Sequence, residues 1–335
     1  MATPSAPPAV RGPSVATPPR RPGSVRRTST IDMRWPGGQG TQLRLRGRAR
    51  DLLTPAAGTA PVVLAEDLLD VGAARDRTIE DIAAEPARPH LTGLIGTRGG
   101  GRLRGRLAEV VPDEIAAGTP LALLLDDLAG ATLIAGFAYR QWRTEWMSST
   151  PGAPAPRRRM EGICAGFRPG STALDEDGVG RDIHDVRPVQ PLSDPADPLG
   201  WHDLEEITEV SMRRARRIDV WRDDEGLLRV DSMFQDSSTV PEGGRIAVHE
   251  YRLEATIDAD GGVLLSATAD PRVLPYLECP TAVPTSHLVE GTPVAELRSV
   301  VLERLKGPLG CTHLNDALRA LAEVPLLAAA LQPAP

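Results

Sequence analysis

The sequence predicts an α+β fold made of two related units, each a strand meander or hairpin followed by packed helices. Three observations carry this reading. Segments in the two halves match in the same order: 26 to 33 with 213 to 220 (both begin Arg-Arg and end Ile-Asp plus an apolar residue), Asp76 to Ile82 with Asp260 to Ala267, and Gly118 to Leu128 with Gly307 to Leu318. In the second copy, Arg245 to Asp258 alternates apolar and polar residues, and Asp258-Ala-Asp-Gly-Gly supplies a hairpin turn into Val263 to Ala269. Beyond Pro271 the apolar spacing becomes helical, with Val294, Leu297, Val300, Val301 and Leu305 on one stripe and Leu314, Ala317, Leu318, Leu321 and Val324 on another.

Along the chain, residues 1–27 are rich in Pro, Ala and Ser, carry Arg11, Arg20, Arg21, Arg26 and Arg27 without any acid, and read as a disordered arm. Residues 28–147 form the first copy, a degenerate one, with a Gly-rich turn and an Arg-rich strand to Asp51. Within it Gly96 to Gly105, with Arg98, Arg102 and Arg104, reads as a turn before a helix in preference to a phosphate nest, and Asp126 and Asp127 as a helix end or loop. The Pro-rich stretch 148–204 is a linker or long irregular loop, and Cys164 within it is read as incidental. Residues 205–335 form the second copy. Here Arg213, Arg214, Arg216 and Arg217 are either a phosphate-binding run or the exposed start of a strand, and helices follow over Val273 to Val289, Pro293 to Leu305, and Thr312 to Leu331 with a kink at Pro325.

Composition narrows the function. A net charge of −7 gives no general attraction for phosphate backbones or anionic lipid, and 3% aromatic residues exclude a long base-stacking platform, so no nucleic-acid role is predicted. No uninterrupted apolar run reaches the roughly 18 residues of a membrane span, so no membrane role is predicted either. Cys164, Cys279 and Cys311 are too few and too scattered for a disulfide framework, and a reducing cytoplasm is the expected location.

Four residues of the second copy can bind a soft or borderline metal: His249 in the long strand, Cys279 after the hairpin, and Cys311 and His313 at the mouth of the last helix. Two thiolates and two imidazoles are a common composition of a zinc site. Cys279 and Cys311 each open a helix, where unpaired N–H groups and the helix dipole favour thiolate. The first copy has approximately Val62 or Val63, Leu94, Leu123 and Leu125 at the corresponding places, so inert core packing is the competing reading of the same four residues. Asp231, Asp236 and Glu250 are candidate acids or bases near His249.

Asp231-Ser-Met-Phe-Gln-Asp-Ser, Ala247-Val-His-Glu-Tyr, Leu274-Pro-Tyr-Leu-Glu-Cys-Pro and Gly310-Cys-Thr-His-Leu-Asn-Asp-Ala-Leu resemble a bacterial domain family of unknown function whose members end in a Gly-Cys-Thr-His-Leu motif, the whole chain being similar to its longer actinobacterial members. A more distant resemblance joins the order of strand, Asp-x-x-Gly turn, strand, Cys279 and Cys311 to the U-type iron–sulfur cluster assembly scaffolds. That resemblance implies a cluster-binding role for the two cysteines. This chain lacks the family's first cysteine and has Glu278 and Pro280 in place of the glycines around the second, which shifts the implied centre toward zinc or a His-ligated one.

The functional expectation is a metal-binding protein holding zinc or an iron–sulfur centre at His249, Cys279, Cys311 and His313. The alternative is a metal-free interaction module, with the arm and linker recruiting a protein partner. A third reading makes Cys311 a nucleophile with His249 or His313 as its base.

Overall fold

Short Asp and Gly turns fold the strands back on one another. The Asp223 carboxylate accepts the backbone N–H groups of Glu225 (3.0 Å) and Leu227 (2.9 Å) while Gly226 takes φ of 81°. Asp258 likewise accepts the Gly262 N–H at 2.7 Å beside Gly261, whose φ is 74°. The computed structural model describes residues 7–56, 58–143, 159–183 and 185–331. In it β1 (Ser24–Arg34), β2 (Leu43–Thr54), β3 (Val62–Ala73) and β4 (Ile79–Glu85) form one antiparallel meander. Another is made by β6 (Ser211–Arg222), β7 (Leu228–Thr239), β8 (Arg245–Ile257) and β9 (Leu264–Val273), and the short β5 (Arg187–Val189) also pairs with β8. Antiparallel pairing of β1 with β6, from Ser24 opposite Trp221 to Arg34 opposite Ser211, joins everything into one sheet of nine strands.

Helices follow each meander, as the predicted α+β class requires. After β4 come α1 (Gly101–Val110), α2 (Pro112–Ala117), α3 (Pro120–Ile134) and α4 (Ala138–Gln141). After β9 come a 3-10 stretch (Cys279–Val289), then α5 (Leu297–Arg304), α6 (Thr312–Arg319) and α7 (Val324–Ala329). Val25 and Leu123 from the first half pack in the second-half core, and Met212 and Val248 from the second half pack in the first-half core. Among the described residues one helical stretch, Pro120–Gln141, is long and apolar enough to cross a membrane, with mean hydropathy 1.7, and 83% of its most apolar window is buried inside the protein.

Buried ion pairs run between the two apolar cores. On the helix side, Arg27 grips Asp51 through two bonds of 2.6 Å and also donates to Glu323 at 2.6 Å. Arg214 grips Asp236 (2.9 and 3.1 Å) and reaches Asp127 and Asp316, while Arg216 grips Asp127 at 2.5 and 2.6 Å. On the opposite face Arg26 pairs with Asp219 and Arg213 with Asp32 in the same forked manner. Fork-shaped, doubly bonded pairs are the arrangement in which a buried guanidinium is tolerated. The arginine run of β6 is therefore neither a phosphate site nor an exposed strand start. Asp126 and Asp127 also differ from expectation, lying buried in the middle of α3 where Arg319, Arg104 and Arg216 partner them.

The disordered-arm reading of residues 1–27 is corrected where the chain is described. Ser24 to Arg27 are buried in β1, and residues 7–23 run irregularly across the sheet. Ser14 donates its N–H to Glu250 at 2.7 Å, Thr17 its hydroxyl to the Leu192 carbonyl at 2.7 Å, and Arg20 pairs with Asp197 at 2.7 Å. The acids that partner these arginines, among them Asp51, Asp197 and Asp219, lie outside the arm, which is why local composition does not show them. Residues 1–6 and 144–158, the latter spanning the end of the first copy and the start of the Pro-rich stretch, lie outside the described residues.

The rest of that stretch helps cover the sheet face opposite the helices. His202 sits over β1, its ring nitrogens 2.9 Å from the hydroxyls of Thr28 and Thr30. Burial, with Arg50 and Arg213 nearby, pulls the imidazole down to about 3. The unfolded chain therefore takes up a proton near pH 6.5 that the folded chain refuses, and stability falls as pH drops from about 6.5 toward about 3. At pH 5 this one group should cost about 2 kcal/mol. Denaturant midpoints at pH 7.5 and pH 5 should converge in His202→Gln relative to wild type. An unchanged gap would refute the assignment.

Candidate functional site

Local geometry in β7, β8 and α6 brings three polar side chains together. Asp236 stands opposite His249 in the β7–β8 ladder, just before a register shift. Facing residues of an antiparallel pair point to the same side, so both project toward the helices. Cys311 is the N-cap residue of α6, with extended φ −118° and ψ 128°, and its carbonyl accepts the Asn315 N–H at 2.8 Å. That places His313 in the first turn, over the sheet.

The rings of His249 and His313 stack with centroids 3.4 Å apart and planes 20° from parallel. His249 Nδ1 lies 3.4 Å and His313 Nε2 3.7 Å from the same oxygen, Asp236 Oδ2. Neither nitrogen has a hydrogen-bond partner of acceptable geometry, although both are buried. Among the described residues, this trio is the group of three His, Cys, Asp or Glu side chains whose donor atoms lie within 4.8 Å of one another.

Electrostatics keep the trio in its unprotonated forms. Burial would raise the Asp236 carboxyl, but the Arg214 guanidinium that grips it holds it well below the usual carboxylate range. Burial lowers His249 in spite of Asp236, and burial together with the His249 ring lowers His313 well below its ordinary value. Two neutral imidazoles beside a carboxylate are side chains of the types that can ligate a metal ion.

A cavity of about 560 Å³ opens in front of the trio, and all four residues singled out in the sequence, His249, Cys279, Cys311 and His313, line it. The two cysteines stand on its wall. Burial raises the Cys279 thiol well above its usual range, and burial raises Cys311 despite the α6 N–H groups of His313 and Leu314. The expected thiolate-favouring effect of the helix ends is present at Cys311 and is outweighed by desolvation. Among the described residues no hydrogen bond joins a cysteine thiol to either imidazole.

Cys164, read as incidental, is also on the cavity wall. Burial, then the nearby Cys311, pushes its thiol up to about 11. Gly166 explains the approach: a Cβ there would lie 2.7 Å from Cys279 Sγ and 3.8 Å from Cys164 Sγ, so only glycine lets this loop close over the site. The spacing Gly162-Ile-Cys-Ala-Gly166 was the available signal.

Asp236 is the member of the sequence's acidic trio that reaches the site. Glu250, adjacent to His249, points to the opposite face and accepts from Ser14 and Gln235, while Asp231 pairs with Arg217 and Arg252. In the Gly96 to Gly105 segment Arg104 is held by Asp126 and Asp316 and Arg98 by the Asp76 carbonyl.

The matched sequence now has a context. Residues 212–327 match the family described as "Protein of unknown function (DUF2889)". The DUF2889 segment contains Asp236, His249, Cys279, Cys311 and His313, together with most of the second-half core. Cys164 and the cavity walls from α3, α4 and residues 160–183 lie outside the DUF2889 segment. Searches of curated proteins and of solved structures each gave no match.

Proposed function

We propose that the protein binds a metal ion, zinc or mononuclear iron, through His249, His313 and Asp236, with Cys279 and Cys311 as further donors on the cavity that the two imidazoles line. The observation that carries this reading is the pair of buried ring nitrogens left without hydrogen-bond partners beside one carboxylate oxygen. A buried polar atom left unpaired costs on the order of 1–3 kcal/mol, and coordination removes that cost at both rings. Two imidazoles on a cavity wall with a buried carboxylate behind them leave coordination positions open on the cavity side, the pattern of catalytic zinc and non-haem iron sites. Arg214, bound to both oxygens of Asp236, is the outer partner that orients this carboxylate.

An all-cysteine iron–sulfur cluster fits the residues poorly. Such a cluster is usually held by four cysteines, whereas three stand on this cavity wall and the tight donor group, Asp236, His249 and His313, contains none. We also propose that the two halves descend from one duplicated unit. Supporting this, Asp51 and Asp236 each grip the arginine of a matching Arg-Arg pair and each precede a register shift. Opposite Asp51 stands Ala65, where the second half has His249, so the first half lacks the donors.

Element-resolved metal analysis and visible spectra of anaerobically purified wild type, His313→Ala and Cys311→Ala test the site. About one zinc or iron per chain is expected in the wild type, with loss in His313→Ala. A colourless, metal-free wild type that is fully folded and fails to take up added zinc or ferrous iron would overturn the reading and leave the interaction module.

A further inference from the structure

The cavity in front of the trio is much larger than a metal ion and its water need. Its volume of about 560 Å³ falls within the range of small-molecule sites. Three separate parts of the chain build it. Ile134 and Phe137 come from the end of α3 and the turn after it, Ile163 and Phe167 from the irregular segment, and Tyr276 from the loop before Cys279. Phe167 and Tyr276 pack ring against ring at 5.2 Å. At the mouth Leu133 and Ile163 are exposed by 51% and 44%, an apolar surface left facing water.

Charge at this mouth is of one sign on the cavity side. Arg140 and Arg181 both line it. The Arg140 partner, Asp182, is held at 3.1 Å with both side chains half or more exposed, a pairing worth little in water and easily exchanged for another carboxylate. Arg181 is anchored through Nε to the Leu174 carbonyl at 2.7 Å, and no carboxylate among the described residues pairs with it. Tyr276 donates its hydroxyl to the Arg181 carbonyl at 2.9 Å, which ties this arginine to the apolar wall.

We propose that this cavity binds a small apolar molecule with one anionic end, its apolar body against Ile134, Phe137, Ile163 and Phe167 and its charge at Arg140 and Arg181. Such a ligand excludes water from the mouth and brings its far end toward His249 and His313. The inference names the ligand class of the proposed metal site and rests on that reading for what the ligand meets at the cavity floor.

Calorimetric titration of the full chain with decanoate, and with decanol as its neutral counterpart, tests it. Chelator-treated and metal-replete protein are titrated in parallel, with metal content measured separately, so failure of the metal reading shows in the metal content and failure of this one in the binding. Saturable decanoate binding is expected, weakened about tenfold or more in Arg181→Gln through loss of a charge-assisted bond. Ile163→Glu, at the half-exposed mouth, should weaken binding similarly while the far-ultraviolet circular dichroism stays that of the wild type. Decanol should bind less tightly than decanoate by a comparable factor. No saturable binding to folded wild type, or equal binding of decanol and decanoate with Arg181→Gln unaffected, would overturn the proposal.

Discussion

Arg214→Met is expected to destabilise the protein by about 3–5 kcal/mol, because it strips the shared cation from three carboxylates that remain out of water. Asp236, Asp127 and Asp316 all reach this guanidinium, and Arg214 itself is 1% exposed. The three acids come from β7, α3 and α6, so a single side chain ties both halves and both layers together. Arg214→Lys keeps the charge but not the fork and should fall between the two. Equilibrium denaturation followed by circular dichroism gives the difference directly. A loss below about 1 kcal/mol for Arg214→Met would show that these carboxylates find water or other partners.

Gly310→Ala should cost about 3 kcal/mol and take metal binding with it. A Cβ at this position would overlap the Leu305 backbone carbonyl and sit 2.8 Å from Asn315 Nδ2. Neither can retreat: the Leu305 carbonyl accepts the Asn315 side-chain amide at 2.7 Å, and the Gly310 carbonyl accepts the Ala165 N–H at 2.8 Å. Relief requires shifting the turn that presents Cys311 and His313. Gly105→Ala is the matched control, since its Cβ meets open space on α1 and should stabilise the helix by about 0.5–1 kcal/mol. Thermal unfolding and zinc uptake of the two variants, side by side, decide the matter; equal stability would remove the steric account of Gly310.

The β8–β9 hairpin and the helix following Cys311 were legible because period-two and period-3.6 patterns, Asp-Gly turns and proline positions are local signals. His249, Cys279, Cys311 and His313 were legible as chemistry, and they do line one cavity. Asp236 was visible as a nearby acid but not as the carboxylate both rings face, since only the β7–β8 register sets that pairing. The arginines of β1 and β6 misled because their carboxylates lie far away in sequence: Arg26 finds Asp219 and Arg213 finds Asp32 only once β1 and β6 pair. Cys164 was missed for the same reason, its neighbours Cys279 and Cys311 being more than a hundred residues downstream.

The β1–β6 pairing also bears on quaternary structure. A chain limited to residues 205–335 would leave β6 as a bare edge, with a row of unpaired N–H and C=O groups and buried arginines stripped of Asp32 and of the α3 carboxylate Asp127. Two such chains laid edge to edge about a two-fold axis could restore antiparallel backbone pairing at that seam. Here the seam is closed within one polypeptide, so its formation is independent of protein concentration, and the cavity wall from α3 and α4 is covalently tied to the strands and helix that carry the imidazoles.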